Sequence, residues 1–313
     1  MKIEKKLAMP FLMATMVILT GSNTHTLLGH NFSPDESASF LALVNTIKAE
    51  AQLVQQNIAS NNMSLASEHA NKASALMTDY VNKEIAERNQ RLSDDLNTDI
   101  VSLKISTESV SGNNTASDTD LLVDDIDGIL DEIVTARIDP DQLNNSTIQV
   151  LAAMELLDGA LRNYGDAFAV GYDMTNMSML TMDGNNNTNS HRENSTSIHS
   201  MSTMDIDSSS VGNNMSIEGM SDSDGKLVNI TDYQTAQALA MRVQELFDNQ
   251  IMNFSISEGS ETVDQSISNV STALKEFVTN IDGKSSPMGI MVIVHTRIHP
   301  NLLTAFGLQL END

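Results

Sequence analysis

Soft-donor side chains concentrate in one stretch of this chain. Met174, Met177, Met179 and Met182 form a Met-x2-Met-x-Met-x2-Met array, and His191, His199, Met201, Met204, Met215 and Met220 follow it. Eight of the 19 methionines thus fall within residues 172–226, a stretch otherwise rich in Ser, Asn and Asp. Polar low-complexity sequence normally avoids Met, whose main use is burial. Thioethers on a flexible chain can converge on Cu(I), and imidazoles accept Cu(II) or Zn(II). In an oxidising exterior, where free thiols are lost, Met is the durable soft ligand. This reading makes copper the cofactor and Met174, Met177, Met179, Met182, His191, His199, Met201 and Met204 its candidate ligands. The same residues also fit a tether with apolar spots, or a sink for oxidants.

Other candidate ligands are sparser. His295 and His299 stand four residues apart, so helix or strand would put them on one side and suit a metal pair. Pro300 disfavours helical angles at His299, and no third ligand can be named, so a structural pair is the competing reading. His69 lies on an apolar stripe, the position of a satisfied core-edge histidine. Asp125-Ile126-Asp127-Gly128 imitates part of a calcium loop, but Val134 occupies the place of the bidentate Glu. Asp222-Ser223-Asp224-Gly225 fails in the same way at Thr231. Both read as solvated acid. The chain carries no Gly-rich phosphate loop, no Gly-x-Ser-x-Gly elbow and no His-Glu-x-x-His.

Composition narrows the class further. The 42 acidic side chains outnumber the 17 basic ones, for a net charge of −25, which repels nucleic acid and anionic lipid. Cations and basic proteins fit better. Cys is absent, so disulfides and thiolate sites are excluded, and with 4% aromatics the core must come from Leu, Ile, Val, Ala and Met. Lys2, Lys5 and Lys6 followed by the apolar run Leu7–Leu19 and the small residues Thr20, Gly21 and Ser22 predict a signal peptide over 1–22, or an uncleaved anchor. Export agrees with twelve Asn-x-Ser/Thr triplets, at Asn31, Asn62, Asn113, Asn144, Asn145, Asn176, Asn186, Asn194, Asn214, Asn229, Asn253 and Asn269. Several are expected to carry glycans, although turns in so Asn- and Ser-rich a chain favour the same residues.

The elements that must position these groups are helical. Phe40, Val44, Ile47, Ala51, Val54 and Ile58 repeat at spacings of four and three, as do Val150, Met154, Leu157, Leu161, Tyr164 and Phe168. A second helix is expected from Ser64 to Val81, continuing with a bend to Ile105. A third runs on Leu122, Ile126, Ile129 and Ile133. After the low-complexity stretch, Tyr233 to Ile251 and Val263 to Ile281 give two more, the latter a clean heptad series of coiled-coil type. Met288–Val294 is too short to span a bilayer and reads as a short buried helix. Each stripe covers one face, so each helix needs neighbours. The expected fold is all-α: an elongated antiparallel bundle of about six to eight helices. A first arm (31–171) and a second (229–313) pack together, with 172–226 as a disordered loop between them.

The Met-x2-Met array and its histidines resemble the methionine-rich segments of exported copper-handling proteins. The strings Lys83-Glu84-Ile85-Ala86-Glu87-Arg88-Asn89-Gln90-Arg91-Leu92 and Val294-His295-Thr296-Arg297-Ile298-His299-Pro300, with the leader and the acidic Asn/Ser-rich composition, resemble uncharacterised exported helical proteins of ammonia-oxidising archaea. That resemblance implies a cell-surface setting with a heavy copper demand and no known activity. The leading expectation is a non-enzymatic, exported binding or cell-surface interaction protein whose loop holds copper, with a metal ion or an envelope protein as partner. Two alternatives stand beside it: a structural envelope glycoprotein with an inert spacer, and an enzyme with its site between helices.

Overall fold

The computed structural model describes residues 36–108, 116–176, 226–252 and 260–308. Every regular element among them is helical, so the protein is an all-α bundle. The elements are α1 (Glu36–Ala59), α2 (Met63–Leu76), α3 (Asp79–Arg88), α4 (Gln90–Glu108), α5 (Ala116–Arg137), the single turn α6 (Pro140–Leu143) and α7 (Ser146–Ala167). After the low-complexity stretch come α8 (Ile230–Leu246), running into a π turn at Phe247–Ile251, and α9 (Glu261–Asp282). Last is α10 (Pro287–Ile293), joined through a second π turn at Val294–Ile298 to α11 (His299–Phe306). The expected signal peptide at 1–22, residues 109–115 and most of the methionine-rich stretch lie outside the described residues. No described helix is long and apolar enough to cross a membrane.

Local chemistry sets the ends. Asn62, Thr78, Asn145, Asn229, Ser260 and Ser286 each accept a bond from an otherwise orphaned N–H in the first turn that follows. The long helix expected over 64–105 is three helices, because Thr78 and Asn89 interrupt it with extended backbone. Gly283 caps the end of α9 with a helical φ of −74°, and Lys284 after it takes the left-handed angle, at φ 54°. Gly307, at φ 61°, ends α11 with its N–H on the Leu303 carbonyl, a conformation in which Cβ would be strained.

Two helices depart from the one-stripe expectation. α1 packs against α2, α4, α5, α7 and α8 and is buried nearly all round. Phe40, Val44, Ile47, Ala51 and Val54 face a core shared with α2 to α5, whereas Ala42, Ala49 and Leu53 belong to a second core with α7 to α11. α7 is likewise buried on most sides and packs along α8. The two cores therefore do not divide where the two arms do. Most of α7, which lies in the first arm, is built into the core of the second.

Surface charges tie neighbouring helices. Glu84 binds Arg137 on α5, and Arg91 binds Asp95 (2.7 Å) and Glu132 on α5 (2.6 Å). Asp127, read as solvated acid, is half-buried 3.9 Å from Lys48, which bonds Asp131 at 2.7 Å.

Candidate functional site

The described residues fix where the methionine-rich stretch leaves the bundle and where it returns. At the end of α7 the Ala167 carbonyl accepts from Val228 N–H (2.8 Å) and from Asn229 N–H (3.2 Å). The stretch is therefore rooted at one place by both ends. Asn229 then caps α8 through its side-chain oxygen, which accepts from the N–H groups of Thr231 and Asp232. Tyr164, Phe168 and Tyr233 cluster at this end, with Tyr164 and Phe168 centroids 4.8 Å apart and Phe168 edge-on to Tyr233 at 6.3 Å. The two tyrosine hydroxyls reach backbone carbonyls at the end of α9 and just past it. Tyr164 Oη donates to Ser285 O (2.6 Å), and Tyr233 Oη to Ile281 O (3.0 Å). Burial pushes both phenols up from their ordinary value.

Met174 was expected in the exposed loop and is instead core, 1% exposed. The chain turns back after α7, with Val170 N–H on Gly165 O (2.9 Å) and the Asp173 carboxylate accepting from Thr175 N–H (2.9 Å) and Oγ1 (2.8 Å). That seats Met174 against Gly165, where a Cβ would lie 3.1 Å from the sulfur. The chain therefore stays on the core through Thr175, past the expected loop start at Tyr172. Its anchor is His295, whose Nε2–H donates to the Met174 carbonyl at 2.9 Å.

His295 and His299 are both buried, with rings T-shaped at 5.3 Å. Burial lowers His295 from its ordinary value, and a neutral ring suits a donor to a backbone carbonyl. Contrary to the expectation from Pro300, His299 is helical (φ −54°, ψ −51°). Pro300 sits in the first turn of α11, where its missing N–H leaves no bond unmade, and the π turn takes up the irregularity before it. A metal ligated by His295 Nε2 would have to displace the Met174 carbonyl. The structure thus brings Met174 and the histidine pair together. Met177, Met179, Met182, His191, His199, Met201 and Met204 lie outside the described residues. Among the described residues no three His, Asp or Glu side chains converge as a metal site.

Close to this root Asp158 lies on α7, 7% exposed, with an Oδ1 that has no hydrogen-bond partner among the described residues. Burial raises its carboxyl to about 7, the Arg162 charge opposes that, and the charges of Asp173 and Glu155 add to it.

A second polar constellation escaped the sequence. His69, wholly buried, places Nδ1 2.6 Å from Glu50 Oε2 and Nε2 2.9 Å from Gln234 Oε1. Thr235 Oγ1 donates to Glu50 Oε1 (2.8 Å), Thr231 Oγ1 donates to Glu68, and Lys72 reaches Asp232 (2.6 Å), Asn163 (3.0 Å) and Thr235 (3.0 Å). This junction joins α1, α2, α7 and α8. One signal was available: Glu50 stands three residues after Ile47 and four before Val54, a stripe position held by a charge.

No protein-family model, curated protein or solved structure matches this chain.

Proposed function

We propose that this is a non-enzymatic, exported binding protein in which a helical bundle presents a methionine- and histidine-rich segment for copper. The observation that carries the reading is the double bond of Val228 and Asn229 to the Ala167 carbonyl. It gathers both ends of a stretch loaded with soft donors onto one rigid end of the molecule. Such rooting keeps the donors in a small volume, and closing a loop of this size adds only roughly 0.6 kcal/mol for each doubling of its length. Thioethers then supply Cu(I) ligands and His191 and His199 supply nitrogen. The net charge of −25 favours approach by cations and by basic partners in the envelope.

The test is a titration of Cu(I) against a competing chelator, for the full chain and for a chain in which a short Gly-Ser linker replaces residues 177–225. Tight uptake by the first and none by the second is the expected result. Equal uptake by both would remove the segment from the account. A second reading, a structural envelope glycoprotein, draws on Asn62, Asn144 and Asn145, which stand exposed at turns that start helices. Asn229 fits it poorly, because it is only half-exposed and its Nδ2, the atom a glycan would use, donates to Asp232.

A further inference from the structure

The buried junction between α1, α2 and α8 constrains where its protons are. Asn57 Nδ2 donates to the Leu53 carbonyl at 2.8 Å, which fixes the orientation of that amide. The same Nδ2 lies 3.1 Å from Gln234 Oε1, so Gln234 must present its oxygen on this side. His69 Nε2 meets that oxygen at 2.9 Å and therefore has to donate. On the other edge of the ring, Nδ1 and Glu50 Oε2 are 2.6 Å apart, and one proton must lie between them. A carboxyl is a stronger acid than an imidazolium. Thr235 Oγ1 lies 2.8 Å from Glu50 Oε1 and 3.1 Å from the Thr231 carbonyl, the shorter contact being to the carboxylate.

We propose that His69 is a doubly protonated imidazolium paired with ionised Glu50, and that this shared proton is the latch holding α8 against α1 and α2. With it, both ring nitrogens donate to oxygens from two different helices. Without it, a lone pair on one ring nitrogen faces an acceptor, and the carboxylate stays buried without a counter-charge. Loss of the proton therefore loosens the contact that α8 makes with its neighbours. The device does not depend on copper binding by the central segment.

Among the described residues, other charged groups border the pair. On α2 itself, Glu68 accepts from Thr231 and Lys72 binds Asp232 and Asn163. From α7, Asp166 feels the charges of Asp232 and Lys72 at the edge of the junction. α4, which also packs on α2, buries no ionisable side chain.

The test uses the full chain, with nitrogen NMR of the histidine rings and amide exchange of α8 followed over a rising pH series. His69→Gln assigns the ring signals. Both His69 nitrogens are expected to carry protons in the folded protein at neutral pH. Above the pH where an exposed imidazole gives up its proton, and until the folded ring does so, the opening constant of α8, corrected for the intrinsic exchange rate, should rise by up to about tenfold per pH unit, the limit for one proton, and then level off. In Glu50→Gln that pH dependence should vanish. A singly protonated His69 at neutral pH in the folded chain would overturn the proposal. So would an α8 opening constant that stays level over the pH range in which the folded ring keeps a proton that an exposed imidazole would have lost, and both are read on the unaltered chain.

Discussion

Two sets of buried histidines lie in one bundle and are held in opposite ways. His69 sits between a carboxylate on α1 and an amide oxygen on α8, with hydroxyls and Lys72 completing a layer that ties the two arms together. His295 faces a backbone carbonyl on one side and the ring of His299 on the other, in surroundings whose nearest charge is Asp173. The first arrangement is built around charge, the second around its absence. Residue type and depth are the same in both places; the partners supplied from far along the chain decide what the ring does.

Removing one side of the charged arrangement should have the largest effect. Glu50→Ala leaves His69 without its acceptor in the core and is expected to cost about 3–5 kcal/mol, read by denaturant unfolding. His295→Gln gives up a single neutral bond to a carbonyl and should cost about 1–2 kcal/mol. If the two substitutions cost the same, the contrast between the two regions is wrong.

Acid and base should separate the regions next. Asp158 has a folded value near 7 against an ordinary 3.8, so the folded state holds this proton after the unfolded state has released it. Stability from this group therefore falls as pH rises from about 4 to about 7, by up to about 4 kcal/mol in all, and is level above. His295 works the other way: its lowered value means that acidification below the ordinary histidine range costs stability. Asp158→Asn should raise stability at neutral pH and leave the acid loss from His295 exposed in the profile. A profile that does not change on that substitution would contradict the burial of an unpartnered carboxyl.

Met174 links the root to the core. Met174→Ala should cost about 2–4 kcal/mol, as for other large-to-small core changes, and should raise amide exchange at residues 170–176 more than in α2. The smallest effect is expected from replacing residues 177–225 with a short linker. The ends already meet at Ala167, so stability should shift by no more than about 1 kcal/mol, measured as a change in denaturation midpoint.

How much of this was legible in the sequence follows from the range of the interactions. The stripes of α7, α8 and α9 were plain, because apolar spacing is a local property; Ile267, Val270, Leu274, Phe277 and Ile281 are the buried face of α9 as their spacing predicts. The second buried side of α1 was not, because Ala42 and Ala49 are too small to register as a stripe and their partners lie over 100 residues away. The breaks at Thr78 and Asn89 depend on local caps within a continuous apolar pattern. At the site, the pairing of His295 with His299 was visible from their spacing, but not that Met174 would close on them from 121 residues upstream. Glu50, Gln234 and Thr235 carried almost no signal. Each is a common polar residue, and only the crossing of α1 and α8 makes them neighbours.

The central claim is that soft donors displayed from the α7–α8 root take up copper, and it can be tested without disturbing the bundle. Replacing Met177, Met179, Met182, Met201 and Met204 by Leu keeps their apolar bulk and removes five sulfur atoms, while Met174 stays in its seat. Cu(I) affinity measured against a competing chelator should then collapse, with helical content by circular dichroism unchanged. Affinity equal to that of the unaltered chain would contradict the account.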